Sequence, residues 1–392
     1  MFGIVKKLFL FLFTLFFAVH FAAGEQRVSV LTCSPGEEVY SLFGHTGIRY
    51  CDSARGVDVV FSYGYFDFDA PGFVWRFVLG ETDYMVGGVP YEAFLSEYRA
   101  RGSQVVEQEL LLDDDKKKQL FNALVVNCRV ENRTYRYNYF YNNCTTRIRD
   151  LVMSTSGAEV PAYNGEALTF REAIGALTAE HSWYAFGINL LLGAEVDEPA
   201  SQEALEFIPG NFMRNLSAST VALPGGGTKP LVVNEEVVVE GTPVVRERSN
   251  LTPFNASLLL LVFTFVVMLC EVRSRRTYWG YDLLLMLLQG LAGLLLLFMA
   301  LFSQHPAVGC NWLLLLLNPL ALLLLPLLVC KIRKHEKPYV AWVQVAFVAA
   351  FFLSAIIQLQ VYPVPIYFCA LALLVRSLFH LYKDNICELT HF

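Results

Sequence analysis

The order of hydrophobic and polar positions divides the chain into two regions. Residues 25–250 mix apolar and polar positions as a globular domain does, whereas residues 256–382 are a series of long apolar runs. Each run is long enough, or nearly so, to cross about 30 Å of hydrocarbon as a helix. The pattern predicts about five transmembrane helices, at residues 256–272, 281–302, 312–330, 339–360 and 363–382.

The first residues have the pattern of a secretion signal. Lys6 and Lys7 precede an apolar core at residues 8–19, and small residues follow at 22–24. An uncleaved signal anchor is the alternative, because the apolar core is long for a signal. Both interpretations put residues 25–255 outside the cytoplasm. The predicted organisation is a signal peptide at 1–24, an exported domain at 25–250 and a transmembrane domain at 251–392.

Basic residues in the loops between the apolar runs predict the orientation. Lys and Arg are retained on the cytoplasmic side of a membrane. They occur in the first and third loops, as Arg273, Arg275, Arg276, Lys331, Arg333, Lys334 and Lys337. The second and fourth loops contain none. The exported domain is therefore expected outside and the C-terminus inside, in agreement with the signal.

The amino-acid composition indicates a lipid partner and gives no sign of a nucleic-acid partner. Hydrophobic residues make up 55 % of the chain, too many for an ordinary soluble domain, so the lipid bilayer is the partner that composition indicates. The net charge is −6 and the polar region has no basic stripe, which gives no sign of nucleic acid.

Several polar residues lie within or beside the apolar runs, and they admit two interpretations. They are Gln289, His305, Asn311, Asn318-Pro319, Gln358 and Gln360. Polar groups at membrane depth are costly unless they face a partner or a wet cavity. One interpretation is structural, with a kink at Asn318-Pro319, interhelical hydrogen bonds from the glutamines and His305 as an ordinary loop residue. The other is that this outer face docks against the exported domain and shapes a substrate entrance, with His305 and Asn311 contacting substrate.

The exported region reads as a compact α+β domain. Residues 45–50 alternate as a strand does, with residues 58–64 as the hairpin partner, and residues 231–245 read as a second hairpin. Residues 113–127 are the clearest helix, because acidic residues lead and apolar positions share one face. Another helix is predicted to begin at residues 142–146.

Four cysteines lie in the exported domain: Cys33, Cys51, Cys128 and Cys144. In an oxidising compartment four cysteines suggest two disulfides, Cys33–Cys51 and Cys128–Cys144. Cys144 also has another interpretation, because it stands at a predicted helix N-terminus. That position favours the thiolate, which is the nucleophilic form. Both interpretations of Cys144 remain open at this stage.

His45 is the candidate base for such a nucleophile. The exported domain contains only His45 and His181 beyond the signal region, so a Cys–His pair has few possible members. An imidazole that takes the thiol proton leaves a thiolate able to attack an acyl carbonyl. Asp67 is a candidate to orient the imidazole, and Asn143, Tyr63 or backbone amides near Cys144 are candidates for the oxyanion. A satisfied buried histidine is the structural alternative.

No cofactor or metal is predicted. The sequence has no His/Cys/Asp cluster at ligand spacing, no G-x-G-x-x-G after a strand and no P-loop.

Four motifs resemble a known family. The stretches CSPGE at 33–37, FGHTGIR at 43–49, YGYFDF at 63–68 and YNNCTTRIRD at 141–150 resemble the Lnb-type periplasmic domain. The membrane region resembles the same family through His305-Pro306, Asn311 and Asn318-Pro319-Leu320. The order His then Cys is similar to permuted papain-like (NlpC/P60-like) thiol enzymes. The resemblance therefore implies an α+β permuted papain-like exported domain followed by an α-helical transmembrane bundle of about five helices.

The resemblance implies a lipoprotein N-acyltransferase in the bacterial inner membrane. Cys144 is then the nucleophile and His45 its base, a phospholipid is the acyl donor and a diacylated lipoprotein the acceptor. Candidate substrate contacts are Arg49, Tyr63, Arg147, His305 and Asn311. Three rivals remain: a phospholipase or thioesterase, a peptidoglycan peptidase, and a membrane-anchored binding module in which Cys144 forms a disulfide. The aromatic stretches 61–77 and 135–141 favour a lipid cleft over a glycan groove.

Overall fold

The computed structural model describes residues 26–162, 165, 167–223, 225–242, 251–333 and 339–389. The predicted signal, and Lys334 and Lys337 of the third loop, lie outside these described residues. The chain divides into two compact units. Among the described residues, the sheet unit comprises 26–73, 81–165 and 201–242, and the membrane unit comprises 74–80, 167–200 and 251–389. Two segments inside the predicted exported domain thus pack with the apolar helices.

The sheet unit is built on a seven-stranded antiparallel sheet of order β6-β4-β3-β2-β1-β5-β9, and β7 and β8 form a separate pair. The described strands are β1 (Gln26–Cys33), β2 (His45–Asp52), β3 (Val57–Tyr65), β4 (Asp83–Pro90), β5 (Val105–Leu110), β6 (Thr134–Arg136), β7 (Thr220–Ala222), β8 (Thr228–Pro230) and β9 (Val232–Val239). The predicted hairpin of β2 and β3 is confirmed. The predicted hairpin at 231–245 is wrong, because β9 instead pairs with β5 at the edge of the main sheet.

The described α-helices are α1 (Phe73–Val78), α2 (Tyr91–Arg101), α3 (Asp114–Asn127), α4 (Cys144–Ser156), α5 (Phe170–Thr178), α6 (Ser182–Leu191), α7 (Pro209–Ala218), α8 (Pro253–Ser274), α9 (Trp279–Phe302), α10 (Leu320–Arg333), α11 (Val340–Ile356) and α12 (Val364–Leu389). The two helices predicted in the sheet unit are confirmed as α3 and α4. Asp113 and Asn143 cap them, each accepting backbone N–H bonds through its side chain.

Helices cover both faces of the sheet and place α4 against its centre. On one face, Leu120 and Leu124 of α3 and Ile148 of α4 join the buried residues of β1 and β2. On the other face, α2 buries Phe94 and Tyr98 against β1 and β5. Since α4 packs directly on β2 and β3, its first residue lies near the start of β2. This packing positions the candidate site.

The cysteines predicted to form disulfides are free thiols in the structure. Cys33 pairs with His45 at one end of the β1–β2 ladder, whereas Cys51 pairs with Arg27 near the other end. Six residues of strand separate the two positions, roughly 20 Å at the usual rise, which no disulfide spans. The predicted Cys33–Cys51 bridge is therefore wrong, and so is the alternative Cys128–Cys144 bridge.

The membrane unit contains four of the five predicted apolar spans at full length. Among the described residues, four segments are long and apolar enough to cross a membrane: Pro253–Ser274, Trp279–Phe302, Trp312–Lys331 and Val364–Tyr382. The fourth predicted span corresponds to α11, a shorter apolar helix of 17 residues. Composition and length thus support the predicted positions, while α11 is shorter than the predicted 339–360.

The third span is broken near its outer end, where the sequence has Asn318-Pro319. A 3-10 turn at Trp312–Leu315 precedes α10, and residues 316–319 are not helical. Gly293 allows this backbone to approach α9, since a Cβ there would lie 2.3 Å from Leu317 O. Gln289 Nε2 donates to Leu316 O at 2.6 Å, and Gln289 Oε1 accepts from Gln344 Nε2 at 3.0 Å. For these residues the structural interpretation, a break with interhelical hydrogen bonds, is correct.

A buried ion cluster joins three candidate spans near the ends that carry the basic residues 273–276. Arg376 of α12 forms bidentate contacts with both Glu271 of α8 and Asp282 of α9 at 2.6–2.9 Å. His380 Nε2 lies 3.0 Å from Asp282. Charges this deep are tolerated only when they are paired and hydrogen-bonded, so the cluster fixes the register of the three helices.

Candidate active site

Cys144 is the first residue of α4, and Asn143 shapes the turn that presents it. Asn143 Oδ1 accepts the N–H groups of Thr145 and Thr146, both at 2.9 Å, and the backbone N–H of Asn143 donates in turn to the Thr146 hydroxyl at 2.9 Å. This capping box fixes the helix start and leaves the Cys144 side chain at the positive end of the helix. The sequence prediction of a helix beginning here is confirmed.

The side-chain amide of Asn143 is not available as an oxyanion donor. Its Nδ2 already donates to Tyr139 O at 3.0 Å and to Phe207 O at 2.8 Å, so both amide hydrogens are used. The predicted role of its side chain is therefore wrong. The backbone N–H of Cys144 itself has no hydrogen-bond partner among the described residues. An N–H at a helix start has no intrahelical partner, so it is available to an incoming oxyanion.

His45 begins β2 and meets Cys144 because α4 packs on that strand. A hydrogen bond of 3.0 Å between the Thr46 and Thr145 hydroxyls joins the strand to the helix next to the pair. The His45 imidazole lies close enough to the Cys144 thiol that each group shifts the pKa of the other. Its Nε2 lies 2.6 Å from the Ser62 hydroxyl on β3. The structure thus brings together the two residues that the sequence predicted as nucleophile and base.

Gly64 makes room for the imidazole. A Cβ at this position would lie 2.9 Å from His45 Cε1, which is closer than a real side chain tolerates. In the β2–β3 ladder Gly47 stands opposite Ser62, so His45 falls two residues further on, beside Gly64. Gly64 is part of the YGYFDF motif, and its place in that motif follows from this close approach.

The environment favours the ion pair of a thiolate and an imidazolium. Burial alone opposes the charged thiolate, but His45 and the bonds from the Thr46 N–H and the Thr145 side chain outweigh it and lower the pKa of Cys144 to about 7. Burial likewise opposes the imidazolium, yet the Cys144 thiolate raises the pKa of His45 above its ordinary value. The thiol is therefore partly ionised near neutral pH, as a nucleophile requires.

The thiol of Cys33 has a raised pKa, in contrast to that of Cys144, although Cys33 pairs with His45 across strands β1 and β2. It is buried, and burial raises the pKa of its thiol far above the usual range despite a hydrogen bond with Tyr98. The ring of Tyr98 in turn stacks over His45, with the centroids 6.4 Å apart. Cys33 therefore stays protonated and supports the ring beside the base, which distinguishes it from Cys144.

Asp67 is not the partner of the imidazole. Its carboxylate is exposed and accepts the backbone N–H of Asp69 at 2.9 Å. The hydroxyl of Ser62, instead of the Asp67 carboxylate, lies beside the His45 imidazole, so the assignment of Asp67 is corrected. The sequence alone did not identify Ser62. Only the register of the predicted β2–β3 hairpin could have indicated that Ser62 lies near His45.

Three predicted substrate contacts are engaged in structural bonds. Arg49 forms ion pairs with Asp58 and Glu107 and lies 3.3 Å from the centre of the Tyr91 ring. In the membrane unit His305 Nε2 lies 2.6 Å from Phe77 O, and Asn311 Nδ2 donates to Leu190 O at 2.8 Å. All three side chains hold backbone or neighbouring elements, and their roles as substrate contacts stay predictions.

Tyr63 and Arg147, by contrast, line one pocket. This pocket has a volume of 340 Å³ and is lined by Tyr63, Asn127, Asn142, Arg147, Asp150, Leu151 and Ser154. The Arg147 guanidinium lies 3.9 Å from the centre of the Tyr135 ring and donates to Asn142 at 2.8 Å. Asp150, which also lines the pocket, pairs with Arg149 instead. No carboxylate among the described residues forms an ion pair with Arg147. The pocket thus offers a positive charge one helical turn from Cys144.

Aromatic rings also pack near Cys144. Cys144 packs against a buried cluster that includes Tyr84 and Tyr135. Tyr84 stacks on Tyr137 at 4.0 Å and on Phe66 at 4.8 Å. Phe66 continues to Phe68, an exposed ring 4.5 Å away. The two aromatic stretches noted in the sequence therefore converge on one apolar wall. The described residues contain no group of three or more possible metal ligands.

Two protein-family models match the chain. The Lnb N-terminal periplasmic domain matches residues 20–172, and the Lnb transmembrane domain matches residues 245–385. No match was found among curated proteins or among solved structures. His45 and Cys144 both fall within the first match, and all the spans begin within the second. The chain therefore belongs to the Lnb family, as a membrane protein with a periplasmic N-terminal domain and a transmembrane C-terminal domain.

Proposed function

We propose that this protein is a lipoprotein N-acyltransferase of the bacterial inner membrane. The observation that carries the proposal is the Cys144–His45 pair, whose thiol has a pKa of about 7 and stands at a capped helix start. Membership of the Lnb family and the covalent link to membrane-spanning helices support lipid substrates. A thiol helix packed on a strand that carries the histidine also fits the permuted papain-like arrangement.

The first half-reaction forms a thioester. The Cys144 thiolate attacks the carbonyl carbon of a phospholipid ester, and the backbone N–H of Cys144 donates to the developing oxyanion. The bond between this carbon and the glycerol oxygen then breaks. The imidazolium of His45 gives its proton to that oxygen, so a lysophospholipid leaves and the acyl chain remains on sulfur. Since Ser62 takes Nε2 of His45, Nδ1 is the nitrogen that serves the thiol.

The second half-reaction transfers the chain to nitrogen. The free α-amine of a diacylglyceryl-cysteine lipoprotein attacks the thioester carbonyl, and His45, now neutral, takes a proton from the amine. The carbon–sulfur bond breaks and returns the thiolate. The products are an N-acylated lipoprotein and the starting enzyme, so the reaction follows ping-pong kinetics.

The surroundings of Cys144 suit the two parts of a phospholipid. Residues three apart on a helix have Cβ atoms about 5–6 Å apart, so Arg147 reaches a phosphate when the adjoining ester lies at Cys144. The wall of Phe66, Tyr84 and Tyr137 offers apolar contact for the acyl chain. These rings give no comparable support to a peptidoglycan peptidase function.

The decisive experiment supplies both substrates to the purified full-length protein. Phospholipid and a synthetic diacylated lipopeptide with a free α-amine are mixed with the protein in nanodiscs, and products are measured by mass spectrometry. We expect N-acylated lipopeptide and lysophospholipid in equal amounts. Free fatty acid in place of acylated peptide means that water resolves the thioester, which identifies a phospholipase and rejects the transferase proposal.

Replacing Arg147 tests the phosphate assignment. Arg147→Leu is expected to raise the KM for phospholipid about tenfold or more, because one charge-assisted contact to a phosphate contributes roughly 1.5–3 kcal/mol. The rate at which iodoacetamide alkylates Cys144 should change little. Arg55→Leu, at an exposed arginine beside Asp52, is the matched control. An unchanged KM in Arg147→Leu contradicts the assignment.

A further inference from the structure

Two of the short helices in the membrane unit carry exposed aromatic side chains. They are α1, of which residues 74–78 belong to segment 74–80, and α6, within segment 167–200. Residues 173–244 lie outside both family matches, so α6 belongs to neither matched domain. The structure nevertheless gives both helices firm attachments to the spans.

The attachments are hydrogen bonds to the loops at one end of the bundle. Gln304 N donates to Leu79 O and Gly193 N to Ala307 O, both at 2.7 Å. Gly193 must lack a side chain here, because a Cβ would lie 2.4 Å from Cys310 O. Loop 303–311 contains no Lys or Arg, whereas the opposite end carries Arg273, Arg275 and Arg276. The positive-inside rule places the attached helices at the outer leaflet.

The level of each helix follows from its contacts with the spans. Trp75 of α1 packs its ring on Phe298, with the centroids 5.2 Å apart. Phe298 lies four residues before the end of α9, which is about 6 Å below that end. Trp183 of α6 donates from Nε1 to Leu251 O at 2.7 Å, two residues before α8 begins. Both indoles therefore lie where the spans enter the hydrocarbon.

The outer sides of both helices are apolar and uncovered. Val74 is 74 % exposed and Trp75 58 %, while Trp183 and Tyr184 are 48 % and 41 % exposed. Helix α6 contains no charged residue in ten positions. Its Phe186, Leu190 and Leu191 pack inward on the buried cluster of the bundle. Exposed Leu301 and Phe302 at the end of α9 continue the same apolar surface into the face that lipid covers.

We propose that α1 and α6 form an interfacial collar, embedded between the headgroups and acyl chains of the outer leaflet. Tryptophan and tyrosine prefer this layer, because their rings are apolar and their N–H or O–H groups still find polar partners. Short amphipathic helices lie in the same plane in other membrane proteins. Continuity with the lipid-facing surface of α9 identifies phospholipid as the occupant. The collar does not depend on the reaction proposed for Cys144.

The test uses the full-length protein in phosphatidylcholine nanodiscs. Two variants retain a single tryptophan, Trp75 or Trp183, with the other four changed to phenylalanine. We expect lipid brominated at chain positions 6 and 7 to quench each fluorescence by more than half. Bromines near the chain end should quench less, and aqueous iodide should quench little. A third variant that retains Trp279, at the inner end of α9, provides the matched interfacial reference.

Two quenching results overturn the proposal. Strong iodide quenching without bromine quenching places the indoles in water, and quenching by neither agent means that protein, such as a second copy of the chain, covers them. A measurement on the unmodified chain guards against misfolded variants. A phospholipid with a diazirine near its headgroup should label residues 74–78 and 182–186 on irradiation, as mapped by peptide mass spectrometry. Absence of label there, with label on the spans, also overturns it.

Discussion

Cells that carry Cys144→Ser in place of the wild-type protein are expected to accumulate diacylated lipoproteins. A serine hydroxyl fills nearly the same volume but does not ionise near neutral pH, so the nucleophile is lost while the helix cap stays intact. Removing an activated nucleophile should reduce the N-acylation rate by at least about 10³-fold. Mass spectrometry of lipoprotein N-termini measures the ratio of diacylated to triacylated forms.

Cys128→Ser is the matched control for that experiment. Cys128 is another free, partly buried thiol of the sheet unit, at the end of α3, and burial raises its pKa instead of lowering it. Its replacement should leave N-acylation unchanged. If N-acylation persists in Cys144→Ser at normal protein levels, Cys144 is not the nucleophile and a binding-module function becomes the better explanation.

Replacing His45 with alanine is expected to remove most of the thiolate at neutral pH. With a pKa of about 7, half of the Cys144 thiol is ionised at pH 7; without His45 the pKa returns to its ordinary 9.0 or above. The thiolate fraction then falls about 50-fold. Transfer should fall further, by roughly 10²–10⁴-fold, because no acid protonates the leaving lysophospholipid oxygen.

The pH dependence of Cys144 alkylation measures the first effect directly. Because only the thiolate reacts, the wild-type rate should rise through about pH 7 and then level off, whereas His45→Ala should keep rising beyond pH 9. His181→Ala is the control, since His181 is the other histidine of the predicted exported region and contacts Tyr184 instead of the site. Equal pH profiles in wild type and His45→Ala contradict a coupled pair.

The location of Ser62 changes how the base is understood. A carboxylate at Nε2, as predicted with Asp67, would add a charge that stabilises the imidazolium. The hydroxyl of Ser62 orients the ring without a charge, so the imidazolium depends mainly on the Cys144 thiolate for stabilisation. Once the thiolate becomes a thioester, that stabilisation disappears. His45 can then release its proton and act as a base toward the incoming amine.

The sequence by itself determined those features whose physical cause is local. Long apolar runs specify spans because hydrophobic length alone decides whether a helix crosses a bilayer. The basic residues at 273–276 specify orientation for an equally local reason. The Asn-Asn-Cys-Thr-Thr stretch specifies a helix start, because capping involves residues only three apart, and this placed Cys144 at the positive end of α4.

Tertiary structure decided which side chains meet. The β1–β2 register separates Cys33 from Cys51, and the β2–β3 register brings Ser62 and Gly64 to His45. Asn143 was a plausible oxyanion donor until the fold brought Phe207 O to its amide. The collar helices lie among polar loop residues in sequence and join the spans only through distant hydrogen bonds such as Gly193 to Ala307. These contacts link residues far apart in the chain, so no local pattern encodes them.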